Sequence, residues 1–139
     1  MTKKHTNLAA KYYVLSMLHR LGVDAELIRG STRAVEIIVE NENKTKTIIH
    51  VRGLEGSYDW PAGNIQSLQE PQHFYALVSF EGKITDPQSI PTTWIIPSKE
   101  LAQFIHEYNT RTDILRAIVV DKGERFLNAW SLIVEQKTG

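Results

Sequence analysis

The sequence predicts an α/β (α+β) fold: a central mixed sheet of about four to five strands, flanked by helices. Three observations carry this. Residues 6 to 21 place apolar side chains at helical spacing. Residues 30 to 53 read as strand, polar turn, strand. Residues 73 to 80, HFYALVSF, form a continuous apolar and aromatic run of the kind that strands buried on both faces show.

Each element has a local reason. The first helix, TNLAAKYYVLSMLHRL, has Thr6 or Asn7 as its cap and Leu8, Tyr12, Leu15 and Leu18 as its apolar stripe, widened by Val14 and Leu21. Gly22 ends it. Residues 23 to 29, VDAELIR, alternate apolar and polar as a strand with one solvated face does, and Gly30 and Ser31 break the pattern. A hairpin follows, with AVEIIV (34 to 39) and TIIHV (47 to 51) joined by ENENKTK, whose residues strands avoid. Residues 53 to 72 hold three glycines and two prolines and read as a long loop, a place where function concentrates. After the strand at 73 to 80 come a turn region and a second strand, TTWII (92 to 96), stopped by Pro97. Ser98 is expected to cap a helix from Lys99 to about Tyr108, with Leu101, Phe104 and Ile105 on one face. Residues 114 to 120 suit either strand or helix, and residues 125 to 134 a terminal helix. The predicted order is helix, three strands, loop, two strands, helix, then a C-terminal helix, in a single domain spanning 1–139.

Composition narrows the function classes. The chain has 139 residues, 42% hydrophobic and 23% charged, ordinary for a globular protein. It has no cysteine, which removes thiol nucleophiles, thiolate metal sites and disulfides, and fits a reducing cytoplasm. No apolar run approaches the roughly 18 residues that span a bilayer, so no membrane partner is expected. Net charge is zero, which argues against strong nucleic-acid binding through bulk electrostatics. The charge is nevertheless uneven. Residues 1 to 33 hold six Lys/Arg against two acids, a local net of +4 that the remainder balances. The ordinary reading is a solvated helix face.

The ordered segments Gly22, AVEIIV, IIHVRG, HFYALVSF, TWIIPSKEL and NAWSLI resemble the PD-(D/E)XK (restriction-endonuclease-like) nuclease superfamily, in particular its small bacterial members. The resemblance covers nearly the whole chain. It implies a restriction-endonuclease-like fold and a divalent-metal site, usually Mg²⁺, on the hairpin strands. An acid on one strand binds the metal, a second acid lies two residues before a lysine, and a glutamate on the first helix often completes the set. Here those positions read Glu36, His50 and Arg52, and residues 1 to 23 contain no acid. Only Asp24 or Glu26 could stand in for the helix glutamate. Imidazole suits Zn²⁺ or Mn²⁺ better than Mg²⁺, and a guanidinium stays protonated and cannot act as a base.

Period-two alternation alone lets Glu36 meet His50 or Arg52 across the hairpin. The residue-level reading is a Glu36–Arg52 ion pair in place of a metal site. The alternative is a reshaped metal site of Glu36, His50 and one loop acid, Glu55 or Asp59. The remaining histidines, His5, His19, His73 and His106, show no ligand spacing and read as surface or strand-edge residues. Ser31, Ser57 and Ser98 lack nucleophile partners. Trp94 and Trp130 read as core, and Trp60 is the aromatic placed to touch a ligand, with loop packing as its ordinary role.

The expected function is a nuclease-like domain with a degenerate, inactive metal site, binding DNA, RNA or a protein. The first alternative is a divergent active endonuclease using Mg²⁺ or Mn²⁺. The second is a regulatory or interaction subunit with no nucleic-acid role. Exposed strand edges would permit a homodimer.

Overall fold

Helix α1 (Lys3–Arg20), β1 (Ala25–Leu27), β2 (Val35–Glu40) and β3 (Lys46–Leu54) open the chain. They are followed by β4 (Trp60–Pro61), β5 (His73–Ser79), β6 (Thr92–Pro97), a 3₁₀ helix (Ser98–Phe104), β7 (Ile105–Glu107) and β8 (Thr112–Ile114). Helix α2 (Arg116–Lys122), a 3₁₀ turn (Glu124–Phe126) and α3 (Ser131–Lys137) close it. The structure is a computed structural model and describes residues 2–28, 35–62 and 72–137. The expected breaks at Gly30 and Ser31, and the loop over 63–71, lie outside the described residues.

The main sheet has five strands in the order β1-β2-β3-β5-β6. It is mixed, as expected: β1, β2 and β3 run antiparallel, β5 runs parallel to β3, and β6 antiparallel to β5. The hairpin turn is closed by Asn41 N–H donating to Thr45 O at 2.9 Å, with Lys44 at φ 68. Asn41 Nδ2 also donates to the Thr45 and Thr47 hydroxyls, both at 3.0 Å, which explains an Asn at the turn entrance.

The pleat sends alternate residues to two apolar cores. Ile37, Val39, Ile49, Val51, Phe74, Ala76 and Val78 face α1 and the C-terminal Trp130 and Ile133. Tyr75, Leu77, Trp94 and Ile96 face the other way, onto Trp60, Leu101, Phe104, Ile114, Val119 and Phe126. Being covered on both sides is what makes HFYALVSF apolar throughout.

Several elements depart from expectation. The first helix begins at Lys3, with Thr2 as its cap accepting from His5 N–H, so neither Thr6 nor Asn7 caps it. Its buried stripe is Thr6, Ala10, Val14 and Leu18, whereas Tyr12 is 54% exposed and Leu21 41%. Small residues line that stripe because α1 lies close on β3. A Cβ at Gly53 would sit 2.9 Å from Ala10 Cβ and 3.0 Å from Thr6 O.

The helix expected from Lys99 to Tyr108 is a 3₁₀ turn that passes directly into β7. Pro97 holds the cap position and makes no capping bond, and Ser98 is the first residue of that turn. Segment 114–120 divides between β8 and α2. The terminal helix is shorter than expected, because Asn128 takes φ 51 between the 3₁₀ turn and α3. A second sheet, β4-β8-β7, had no counterpart in the sequence reading. Its strands are two or three residues long, too short to show alternation. Among the described residues no helix is long and apolar enough to cross a membrane.

Gly53→Ala is expected to destabilise the fold by about 1–3 kcal/mol, because the new methyl meets packed atoms that cannot swing away. Gly56→Ala, whose Cβ would meet only the exposed Tyr58 ring at 3.7 Å, should change stability by less than about 0.5 kcal/mol. Urea denaturation of the two variants checks both values.

Candidate functional site

The hairpin register places Glu36 directly opposite His50. The cross-strand pairing expected from alternation therefore holds at the level of the ladder. Arg52 lies two residues along β3, in register with Leu77 of β5. The side chain of Glu36 lies outside the described residues, and with it the expected Glu36–Arg52 ion pair.

His50 is 7% exposed and sits among rings. Its Nε2 is 2.9 Å from His73 Nδ1, so one ring N–H donates to the lone pair of the other. The two rings are 26° from parallel with centroids 5.1 Å apart. At that separation, with the nitrogens in hydrogen-bond contact, the imidazoles meet edge to edge rather than face to face. Tyr75, the register neighbour of His50 on β5, lies against its other side at 4.8 Å and 24°.

Arg52 extends over the Tyr75 ring, with Cζ 5.7 Å from the centroid. It donates from Nη1 to Val51 O at 3.1 Å and from Nη2 to Ala62 O at 3.3 Å. Part of the fork is therefore engaged in tying the start of the 55–72 segment back to the sheet.

Burial pushes the His50 pKa down to about 4, with the Arg52 charge and then His73 adding to the effect. The imidazole is neutral at pH 7 and too weak a base to take a proton from water efficiently near neutrality. Arg52 cannot serve as that base either.

The loop acids proposed for a reshaped metal site are placed elsewhere. Asp59 Oδ1 accepts the Arg116 backbone N–H at 2.9 Å and so caps the first turn of α2. Glu55 is exposed. Among the described residues no three His, Asp or Glu side chains converge as a metal site would require. Asp24 and Glu26 are both exposed, and Glu26 stands opposite Ile38 rather than Glu36.

One reading of a single residue changes. His73 is not an isolated strand-edge residue but the hydrogen-bond partner of His50. Its signal was its alternation with Tyr75, which becomes informative only once β5 is known to lie beside β3. Trp60 is fully buried, donates from Nε1 to Val78 O at 3.3 Å and meets Trp94 edge-on, the packing given as its ordinary role. Trp94 and Trp130 are core, as expected. His19 Nε2 lies 2.8 Å from Ala25 O and joins the end of α1 to β1.

Compared with family models, curated proteins and solved structures, the chain gives no match.

Two expectations follow from this geometry. Asp59→Ala should cost about 1 kcal/mol through the lost cap, whereas Asp59→Asn should leave stability nearly unchanged; thermal melts of the two variants check this. The second concerns pH. The folded pKa of His50 lies below the unfolded value near 6.5, so between about pH 6.5 and pH 4 the unfolded chain binds the extra proton. Stability should therefore fall as pH drops through that window, by roughly 2 kcal/mol between pH 7 and pH 5. Denaturant titrations at both pH values should show the pH-dependent part of the loss reduced in His50→Gln.

Proposed function

We propose that this chain is a nuclease-like domain that acts by binding, its cleavage site given over to packing, with nucleic acid as the partner. The observation that carries this is the state of His50. At the position where the resembling nucleases place a metal-binding acid, a neutral imidazole is locked edge-on to His73 and covered by Tyr75. Two residues on, a guanidinium replaces the lysine and is partly spent on backbone carbonyls. The donors His50 and Arg52 do not fit Mg²⁺, which asks for oxygen ligands in near-octahedral geometry.

The topology supports the same reading. A helix, a three-strand meander and then two further strands of a mixed sheet follow in the order the resemblance implies. The competing reading, a divergent active metal-dependent endonuclease, draws on one specific observation: Glu36 stands opposite His50 in the ladder, as a two-residue metal site across the hairpin would need.

Incubation with single- and double-stranded DNA and RNA, each with Mg²⁺ or Mn²⁺, separates the two. Binding without cleavage, and calorimetry with neither ion giving a Glu36-dependent signal, is the expected outcome. Cleavage that requires the metal and disappears in Glu36→Ala would replace this reading with the active one.

A further inference from the structure

The outward face of α1 carries a second feature, on the opposite side of the sheet from His50 and Arg52. The helix holds Lys3, Lys4, Lys11 and Arg20 and no acid at all. The chain as a whole is neutral, so one 18-residue element carries +4 while the compensating negative charge lies elsewhere. Among the described residues none of these four cations is in an ion pair with a carboxylate; the ion pairs there join Arg111 to Asp113, Arg116 to Glu81 and Arg125 to Glu100.

The helix period places Tyr12 opposite the buried stripe of Thr6, Ala10, Val14 and Leu18. Tyr12 is 54% exposed, a large ring at the middle of the outer face. Lys11 Nζ lies 5.7 Å from its centroid, so the ring is flanked by positive charge. Lys4 and Lys11, seven residues apart, lie along one flank of the ring, and Arg20, half a turn round from Lys11, lies on the other flank near the end of the helix. From Lys4 to Arg20 the helix rises about 24 Å, so a strand crossing Tyr12 diagonally from one flank to the other would place several nucleotides along it.

We propose that the outer face of α1 binds single-stranded nucleic acid, Lys4, Lys11 and Arg20 following the phosphates and Tyr12 stacking on an unpaired base. The inference rests on the nucleic-acid part of the binding reading above and names its surface. A cationic helix with an exposed aromatic at its centre is the combination of charge and stacking platform that single strands require. An anionic membrane fits less well, because Tyr12 is the one large apolar side chain exposed along the helix, with Leu21 just beyond its end, and interfacial helices need a continuous apolar face. A duplex offers no unpaired base for the ring.

The test is fluorescence anisotropy with labelled oligo(dT) and oligo(rU) of about 20 nucleotides, using the full chain at low and moderate salt. Both probes should bind, with affinity falling as salt rises at a log–log slope of about −2 to −3, as release of counterions by three or four cations gives. Lys4→Glu with Lys11→Glu should weaken binding at least about tenfold, Tyr12→Ala about five- to a hundredfold, and Tyr12→Trp should restore it. Binding of oligo(dT) but not oligo(rU), or the reverse, supports the surface and sets the sugar. Lys4 and Tyr12 are exposed and Lys11 and Arg52 half-buried, and circular dichroism confirms that each variant is folded. Failure of the wild type to bind either probe at low salt overturns the proposal. So does binding that the α1 variants leave intact while Arg52→Ala abolishes it, an outcome that keeps the binding reading and moves its surface to the other face. Equal affinity for polyglutamate, or for vesicles of phosphatidylserine with Tyr12→Ala without effect on the oligonucleotides, overturns it as well.

Discussion

The parallel pairing of β3 with β5 is the constraint on which the rest depends. It runs from Ile48 opposite His73 to Leu54 opposite Ser79 and joins the antiparallel meander to the antiparallel β5–β6 pair. A parallel neighbour cannot be reached by a tight turn, so the chain must leave the end of β3 and return to the start of β5. That requirement creates the long 55–72 segment and places β5 inside the sheet between β3 and β6, buried on both faces. It also sets the register in which His50 meets Tyr75 and His73. A slip of one residue would send the histidine pair into the apolar core under α1.

The two faces of the sheet have been put to different uses by side-chain size. Under α1 the contact is close, with Ala10 and Gly53 allowing helix and strand backbones to approach. On the other face the space is filled by large rings: Trp60, Tyr75, Trp94, Phe104 and Phe126. Aromatic edge-to-face contacts, Trp60 with Trp94 and Phe104 with Phe126, let short irregular elements pack there without long regular helices. The His50–His73–Tyr75 group continues that ring packing toward the hairpin, and the local chemistry of His50 follows from it: burial among rings is what keeps the imidazole neutral.

The legible part of the sequence was the part written in long periodic segments. The meander and the Glu36–His50 pairing follow from strand periodicity and the polar turn between the two runs, and the strand within 73 to 80 from its unbroken apolar character. What was not legible depended on contacts between distant residues. Tyr12 was read as core because it falls at helical spacing with Leu8 and Leu15, but tight packing at Gly53 selects the stripe of smaller residues through Ala10 instead. Leu101, Phe104 and Ile105 suit a helix face equally well, yet Ile105 enters a strand because β8 lies beside it. Asp59 looked like a free loop acid and proves to be a helix cap 57 residues away in sequence. None of these could be inferred without knowing which elements touch.

The segment that broke the expected terminal helix has its own role. Leu127 forms an isolated antiparallel bridge to Trp94, and Asn128 N–H donates to Thr93 O at 2.8 Å, with the positive φ of Asn128 turning the chain away again. These contacts lie along the outer edge of β6, where the sheet would otherwise present unpaired amides and carbonyls. Among the described residues the opposite edge, β1, offers only three residues. A second chain seeking to lengthen this sheet would find one border already occupied at Thr93 and Trp94 and the other short, which works against the edge-to-edge growth that leads sheets into fibrils.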